Sequence, residues 1–95
     1  MNGCYIPPRL LRAVPRDGRR VWIEYEDGVS VEVDIWPLIS WGPVFERLRE
    51  DDGYFQQLWI DRRTLCWPDN VDLAPFRVYD LAKETLLTEL LKVPA

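Results

Sequence analysis

Between Arg20 and Trp36 apolar and polar residues alternate in two runs. Val21, Ile23 and Tyr25 alternate with Arg20, Trp22, Glu24 and Glu26, and Val29, Val31, Val33 and Ile35 alternate with Ser30, Glu32, Asp34 and Trp36. A period of two places each set on one face of a strand, so each run predicts a strand with one buried face. The turn between them follows from register. A two-residue loop at Asp27-Gly28 would set Tyr25 opposite Ser30 and Ile23 opposite Glu32, with apolar side chains facing polar ones. A loop of Glu26-Asp27-Gly28 pairs Tyr25 with Val29, Ile23 with Val31 and Val21 with Val33, and puts Gly28 at the left-handed position of a G1 bulge. The outer face then carries an Arg20 to Asp34 pair.

Upstream, "RLLRAVPRDGRR" reads as a first strand and a turn. Downstream, Pro37 ends the sheet and "PLISWGPVFERLREDDGYFQQ" predicts two short helical pieces separated by Gly42-Pro43, with Val44, Phe45, Leu48, Tyr54 and Phe55 covering one sheet face. A second hairpin with its turn at Arg62-Arg63 pairs Ile60 with Leu65 and Leu58 with Trp67, a tight turn without glycine. "APFRVYDLAKETLLTELLK" is helical in pattern, with Pro75 near its start and Ala82, Leu86, Leu90 and Val93 on the core side, while Leu81, Leu87 and Leu91 widen the apolar face enough for a homodimer or partner contact. The expected fold is α+β: a three-strand antiparallel meander, a short helical connection, a second β-hairpin and a C-terminal helix.

The chain has 95 residues, 47% of them hydrophobic and 13% aromatic, which fits one folded domain over 1–95, with a core over 9–79 and a terminal helix and tail over 80–95. No apolar run reaches the length of a membrane span, and "MNGCYIPPRLLR" does not read as a signal peptide, so a cytoplasmic protein with no membrane partner is expected. Cys4 and Cys66 would then stay reduced. The chain contains no histidine, which removes the commonest acid/base group near neutral pH and every histidine-dependent triad. Two distant cysteines have no zinc-ligand spacing, and the five glycines form no phosphate-cradling loop. No catalytic residue, metal site or cofactor is expected.

Four features resemble sites. "WPDNVDL" concentrates oxygen ligands, but a calcium loop supplies about 6 to 8 and has a glycine and a distal glutamate that are missing here. It reads as a strand stop, an Asx turn at Asp69 or Asn70, and Asp72 near a helix start. Glu24 with Glu26, and Glu50-Asp51-Asp52, read as a solvent-facing strand row and a helix end rather than as hydrolytic pairs. Charge is uneven within the formal −4: Arg9 to Arg20 holds five arginines against Asp17, a local +4, leaving seven basic and fifteen acidic residues elsewhere. Arg12, Arg16, Arg19 and Arg20 are candidate nucleic-acid contacts if they converge, against a pI of about 4.7 and the alternative that they guard a sheet edge. Trp22 and Trp36 stand on a charged row. Either the Trp41 loop or the terminal helix covers them, or a partner does, in which case Trp22→Ala costs binding more than stability.

The ordered landmarks "YEDGVSVEVDIWPLI", "GPVFERLRED" with "YF", and "TLCWPDNVDL" resemble those of a small bacterial family, domain of unknown function 2442, over Arg9 to Tyr79. The resemblance implies an α+β domain without established activity, in some members preceding a helix-turn-helix. Members often form one half of a two-protein unit whose other half is a small, basic, toxin-like protein. Members usually have a longer, glycine-containing loop where this chain has Asp61-Arg62-Arg63-Thr64, and a glycine where it has Val71. After Tyr79 there is room for one long helix and no helix-turn-helix. Function is therefore expected to be a non-enzymatic, antitoxin-like interaction module for a small basic protein. Its candidate interface is Trp22, Trp36, Glu24, Glu32, Leu87 and Leu91; the alternative is a nucleic-acid-binding transcriptional regulator using the arginine-rich edge.

Overall fold

The computed structural model describes residues 6–92. Strands β1 (Leu10–Pro15), β2 (Arg20–Tyr25) and β3 (Ser30–Asp34) form an antiparallel sheet in that order. The β2–β3 register is the expected one, with Val21 opposite Val33 and Ile23 opposite Val31. Tyr25 N–H donates to the Val29 carbonyl at 2.8 Å and Gly28 N–H to the Tyr25 carbonyl at 3.1 Å, closing the three-residue loop. Gly28 has φ +95°, a conformation that a side chain would strain. On the other side Ala13 faces Ile23 and Pro15 faces Val21, with an irregularity between Leu10 and Arg12. Arg20 lies opposite Asp34 but does not pair with it. Its Nε reaches diagonally to Glu32 at 3.6 Å, while Asp34 Oδ1 accepts the Trp36 N–H at 2.9 Å, an Asx turn that occupies the carboxylate.

Alternation stops at Ile35. Trp36, expected on the strand's outer row, instead begins helix α1 (Trp36–Ile39), with Pro37 in its first turn. A 3-10 turn (Pro43–Phe45), α2 (Glu46–Glu50) and α3 (Asp52–Phe55) follow, and Asp51 caps α3 by accepting the Tyr54 N–H at 3.0 Å. Leu48, Tyr54 and Phe55 are buried and Phe45 partly so. Val44, expected to cover the sheet, is 61% exposed, because adjacent residues of a single 3-10 turn cannot both face inward.

A second antiparallel sheet contains β4 (Trp59–Asp61), β5 (Thr64–Trp67) and β6 (Val71–Asp72). The Arg62-Arg63 turn and the Ile60–Leu65 pair are as expected. The ladder begins with Trp59 opposite Cys66, so no Leu58–Trp67 pair forms. Leu58 N–H donates back to the Phe55 carbonyl at 3.3 Å and ends the helical turn instead. The third strand is an addition to the expected hairpin. The chain reverses at Pro68-Asp69-Asn70 and pairs Val71 with Trp67 and Asp72 with Cys66, so Asp72, though close to the start of the last helix, belongs to a strand and makes no cap bond to that helix. Helix α4 (Pro75–Leu91) begins, as the helical pattern from Ala74 onward leads one to expect, with Pro75 in its first turn.

The core lies between the inner row of the first sheet (Val21, Ile23, Val31, Val33, Ile35), the short helices (Ile39, Leu48, Phe55), β5 (Leu65, Trp67) and α4 (Val78, Ala82). Trp67 is buried and donates its Nε1–H to the Phe55 carbonyl at 3.0 Å, so its polar atom is satisfied inside the core. The Tyr79 hydroxyl donates to the Asp27 carboxylate and fastens α4 to the β2–β3 turn. Only the first turns of α4 are buried. Leu90, expected on the core side with Ala82, is exposed because the helix outruns the body it packs on, and Val93 lies outside the described residues. Cys66 is a free, buried thiol, and Cys4 lies outside the described residues. Among the described residues no helix is long and apolar enough to cross a membrane.

Candidate functional site

Part of each of the two candidate sets, Trp22, Glu24 and Glu32 of one and Arg12, Arg16 and Arg20 of the other, shares one surface. On the outer face of the first sheet Trp22 lies between Val14 and Glu32, and its Nε1–H donates to Glu24 Oε2 at 2.6 Å. Arg12 Nη1 reaches the same oxygen at 3.1 Å. The Trp22 hydrogen bond chiefly holds the Glu24 carboxyl below its ordinary value; desolvation opposes it and Arg12 reinforces it. Arg16 and Arg20 both approach Glu32, at 3.8 and 3.6 Å. With Asp34 the face sets three arginines against three carboxylates, so it is neither a basic edge nor an acidic surface. Leu81, Thr85 and Glu89 of α4 line an open groove of about 730 Å³ with Trp22. Trp22 is half-buried and faces the terminal helix across this groove, and the Trp41 loop does not line it.

Arg19 does not join the other three arginines. Its Nε donates to the Leu48 carbonyl at 2.6 Å and its Nη2 to the Arg49 carbonyl at 3.1 Å, while its Nη1 pairs with Asp52 at 2.8 Å. The guanidinium lies 5.1 Å from the Phe55 ring centroid and its side chain is 10% exposed. It satisfies carbonyls at the end of α2 and ties the first sheet to the helices. The candidate interface is likewise dispersed: Trp22, Glu24 and Glu32 lie on the sheet, Trp36 starts α1, and Leu87 and Leu91 sit on the exposed end of α4.

A different surface carries an unsatisfied apolar group. Between the α1 loop and the start of α4 runs an apolar groove of about 460 Å³, lined by Pro37, Leu38, Trp41, Val44, Phe45 and Leu73 with Asp72 and Arg77 at its rim. Trp41 is 82% exposed. Its loop is nonetheless fixed: Arg49 Nη1 donates to the Ile39 carbonyl at 2.9 Å and to the Gly42 carbonyl at 3.0 Å. Gly42 takes φ +95°, which glycine adopts at no steric cost. In the sequence, Gly42-Pro43 marks only the break between two short helical pieces, and Trp41 stands directly before it. Its position, next to Gly-Pro and outside any apolar period, was the available signal that Trp41 has no core row to enter.

Pro43 also lines a shallow depression of about 830 Å³ with Glu46, Arg47, Glu50, Asp51, Asp52 and Gly53. Arg47 reaches Asp51 at 3.8 Å and Asp69 at 3.4 Å, and its guanidinium sits 4.3 Å from the Tyr54 ring centroid. Asp52 is held by Arg19. Among the described residues no ion pair reaches Glu46 or Glu50. The apolar groove and this acidic shelf thus share Pro43 as a lining residue, and the shelf carries two carboxylates without an ion pair among the described residues.

The "WPDNVDL" stretch is the β5–β6 hairpin. Asp69 and Asn70 take φ +67° and +62°, and the Tyr54 hydroxyl donates to the Pro68 carbonyl at 2.6 Å. Burial, then Asp69, pushes the Tyr54 hydroxyl up. Burial, followed by Asp72 and Asp61, likewise pushes the Cys66 thiol up, which disfavours the nucleophilic thiolate. Among the described residues no cluster of three or more Cys, Asp or Glu side chains could hold a metal ion.

No curated protein and no solved structure matches the chain. Residues 11–84 match the model of the family described as protein of unknown function (DUF2442), in agreement with the landmarks at "YEDGVSVEVDIWPLI" and "TLCWPDNVDL", and the chain belongs to that family.

Proposed function

We propose that the domain is a non-enzymatic, cytoplasmic interaction module that binds a small basic protein, with the Trp41 groove as its apolar anchor site and the Glu46 and Glu50 shelf as its electrostatic guide. The observation that carries this reading is that the two surfaces adjoin at Pro43, which lines both. Tryptophan is enriched among interface hot spots, and the large surface that Trp41 leaves in water is available for burial by a partner. Uncompensated carboxylates beside it attract a basic partner and accelerate encounter in a salt-dependent way. The loop is held by Arg49 before binding, so little ordering opposes association. A free, buried Cys66 fits a reducing compartment. The arginine edge supports the nucleic-acid reading less well, because Arg12, Arg16 and Arg20 already face carboxylates on their own sheet.

The test is capture of partners by tagged protein from nuclease-treated lysate of its own organism, with Trp41→Ala and Glu46→Lys/Glu50→Lys variants alongside. A small basic protein held by the native chain and lost with both variants supports the reading. Retention by both variants, or recovery of nucleic acid from lysate left untreated, refutes it.

A further inference from the structure

We infer that the outward seam of α4 pairs antiparallel with the same seam of a second copy. Phe76, Asp80, Lys83, Leu87 and Leu90 follow one another at spacings of four, three, four and three, the spacing of a coiled-coil seam. All five are exposed, Phe76 by 50% and Leu87 by 58%, while the core takes Val78, Tyr79 and Ala82 from another side of the helix. Isolated exposed leucines need no explanation, but an apolar residue at each end of a seam with opposite charges between them is self-complementary.

The charges select the orientation. A parallel, in-register pair would set Asp80 against Asp80 and Lys83 against Lys83, which repel. An antiparallel pair alternates the two seam positions, so that Asp80 of one copy meets Lys83 of the other and Phe76 meets Leu87, each contact occurring twice about the twofold axis. Two ion-pair layers lie at the centre and a Phe–Leu layer closes each end against water. Leu90 then reaches the start of the other copy's helix. Asp80 has no ion pair among the described residues, whereas the Lys83 ammonium lies 4.7 Å from the Tyr79 ring centroid, anchored to the body yet at the seam. A polar pair in the middle of a seam fixes register while lowering affinity. The contact is therefore a weak, specific dimer.

Sedimentation equilibrium of the full chain over a concentration series tests this. The expected result is reversible dimerisation, weakened at least about tenfold by Leu87→Glu. Asp80→Lys and Lys83→Asp should each weaken it, and the double exchange Asp80→Lys/Lys83→Asp should recover most of the loss. Far-UV circular dichroism confirms that each variant is folded. A monomer at every concentration into the millimolar range, a dimer indifferent to Leu87→Glu, or a double exchange no tighter than the single ones overturns the inference.

Discussion

The Arg49 guanidinium donates to the Gly42 carbonyl at 3.0 Å, and the same nitrogen reaches the Ile39 carbonyl at 2.9 Å. One side chain on α2 thus sets the path of the loop that presents Trp41. Arg49→Ala leaves both partly buried carbonyls without this donor, and the expected loss is about 1.5 to 3 kcal/mol, the range for hydrogen bonds to charged groups. Arg49→Lys keeps the charge but not the planar fork and should restore only part of it. Urea unfolding of the three proteins checks this; equal stability of all three would show that the loop holds without Arg49.

The bond from Tyr79 to Asp27 makes a prediction about acid. This bond is the main reason the Asp27 carboxyl sits below its ordinary value; desolvation opposes it, and the Val29 N–H and then Lys83 add to it. A carboxyl depressed in the folded state contributes its full stability above its unfolded value and loses it as pH falls through its folded value. Tyr79→Phe should cost about 1 kcal/mol near neutral pH, and the deficit should shrink as the solution is acidified. Glu24 is also depressed, so some acid sensitivity remains in the variant. Unfolding midpoints measured across acidic pH decide it; a deficit that stays constant to the lowest pH contradicts the assignment.

The parts of the fold that were legible in the sequence are those where period and turn constrain each other. The apolar rows from Val21 to Ile35 admit one register, and Gly28 supplies the conformation that this register requires. Strand β6 was not legible, because two residues, Val71 and Asp72, carry no period. Adjacent arginines were also inseparable: Arg19 enters the helices while Arg20 remains on the sheet face, a distinction made by the turn ending at Arg20 and not by residue type. The candidate site was hidden for a related reason. Trp22 looked exposed from its row, yet it is half-buried in a groove whose other wall comes from far along the chain. Trp41 lies in a loop, where alternation predicts nothing.

Arg62 and Arg63 form the β4–β5 turn with φ of +51° and +70°. A left-handed residue other than glycine costs roughly 1 to 2 kcal/mol, and asparagine tolerates that conformation best among the alternatives. Arg63 also donates to the Pro7 carbonyl at 3.0 Å, whereas Arg62 has no hydrogen bond or ion pair among the described residues. Arg62→Asn should therefore stabilise the domain by about 0.5 kcal/mol. Thermal unfolding checks the sign, and destabilisation would mean that Arg62 makes a contact worth more than its backbone strain.

Trp22 and Trp41 should separate stability from binding. Trp22→Phe removes the 2.6 Å bond to Glu24 and should lower stability while leaving partner binding intact. Trp41→Ala should leave the unfolding midpoint within about 0.5 kcal/mol of the native chain and abolish partner binding. Paired unfolding and binding measurements on both variants check this, and the reverse pattern would return the interface to the sheet face.

The most direct test of the Trp41 groove as a binding site is photo-crosslinking from position 44, with benzoylphenylalanine replacing the exposed Val44 at the junction of groove and shelf, carried out in lysate of the protein's own organism. The account predicts one dominant adduct to a small basic protein, diminished by added salt and lost with Glu46→Lys/Glu50→Lys. No adduct at position 44, or an acidic adduct that persists in salt and in the double variant, would contradict it.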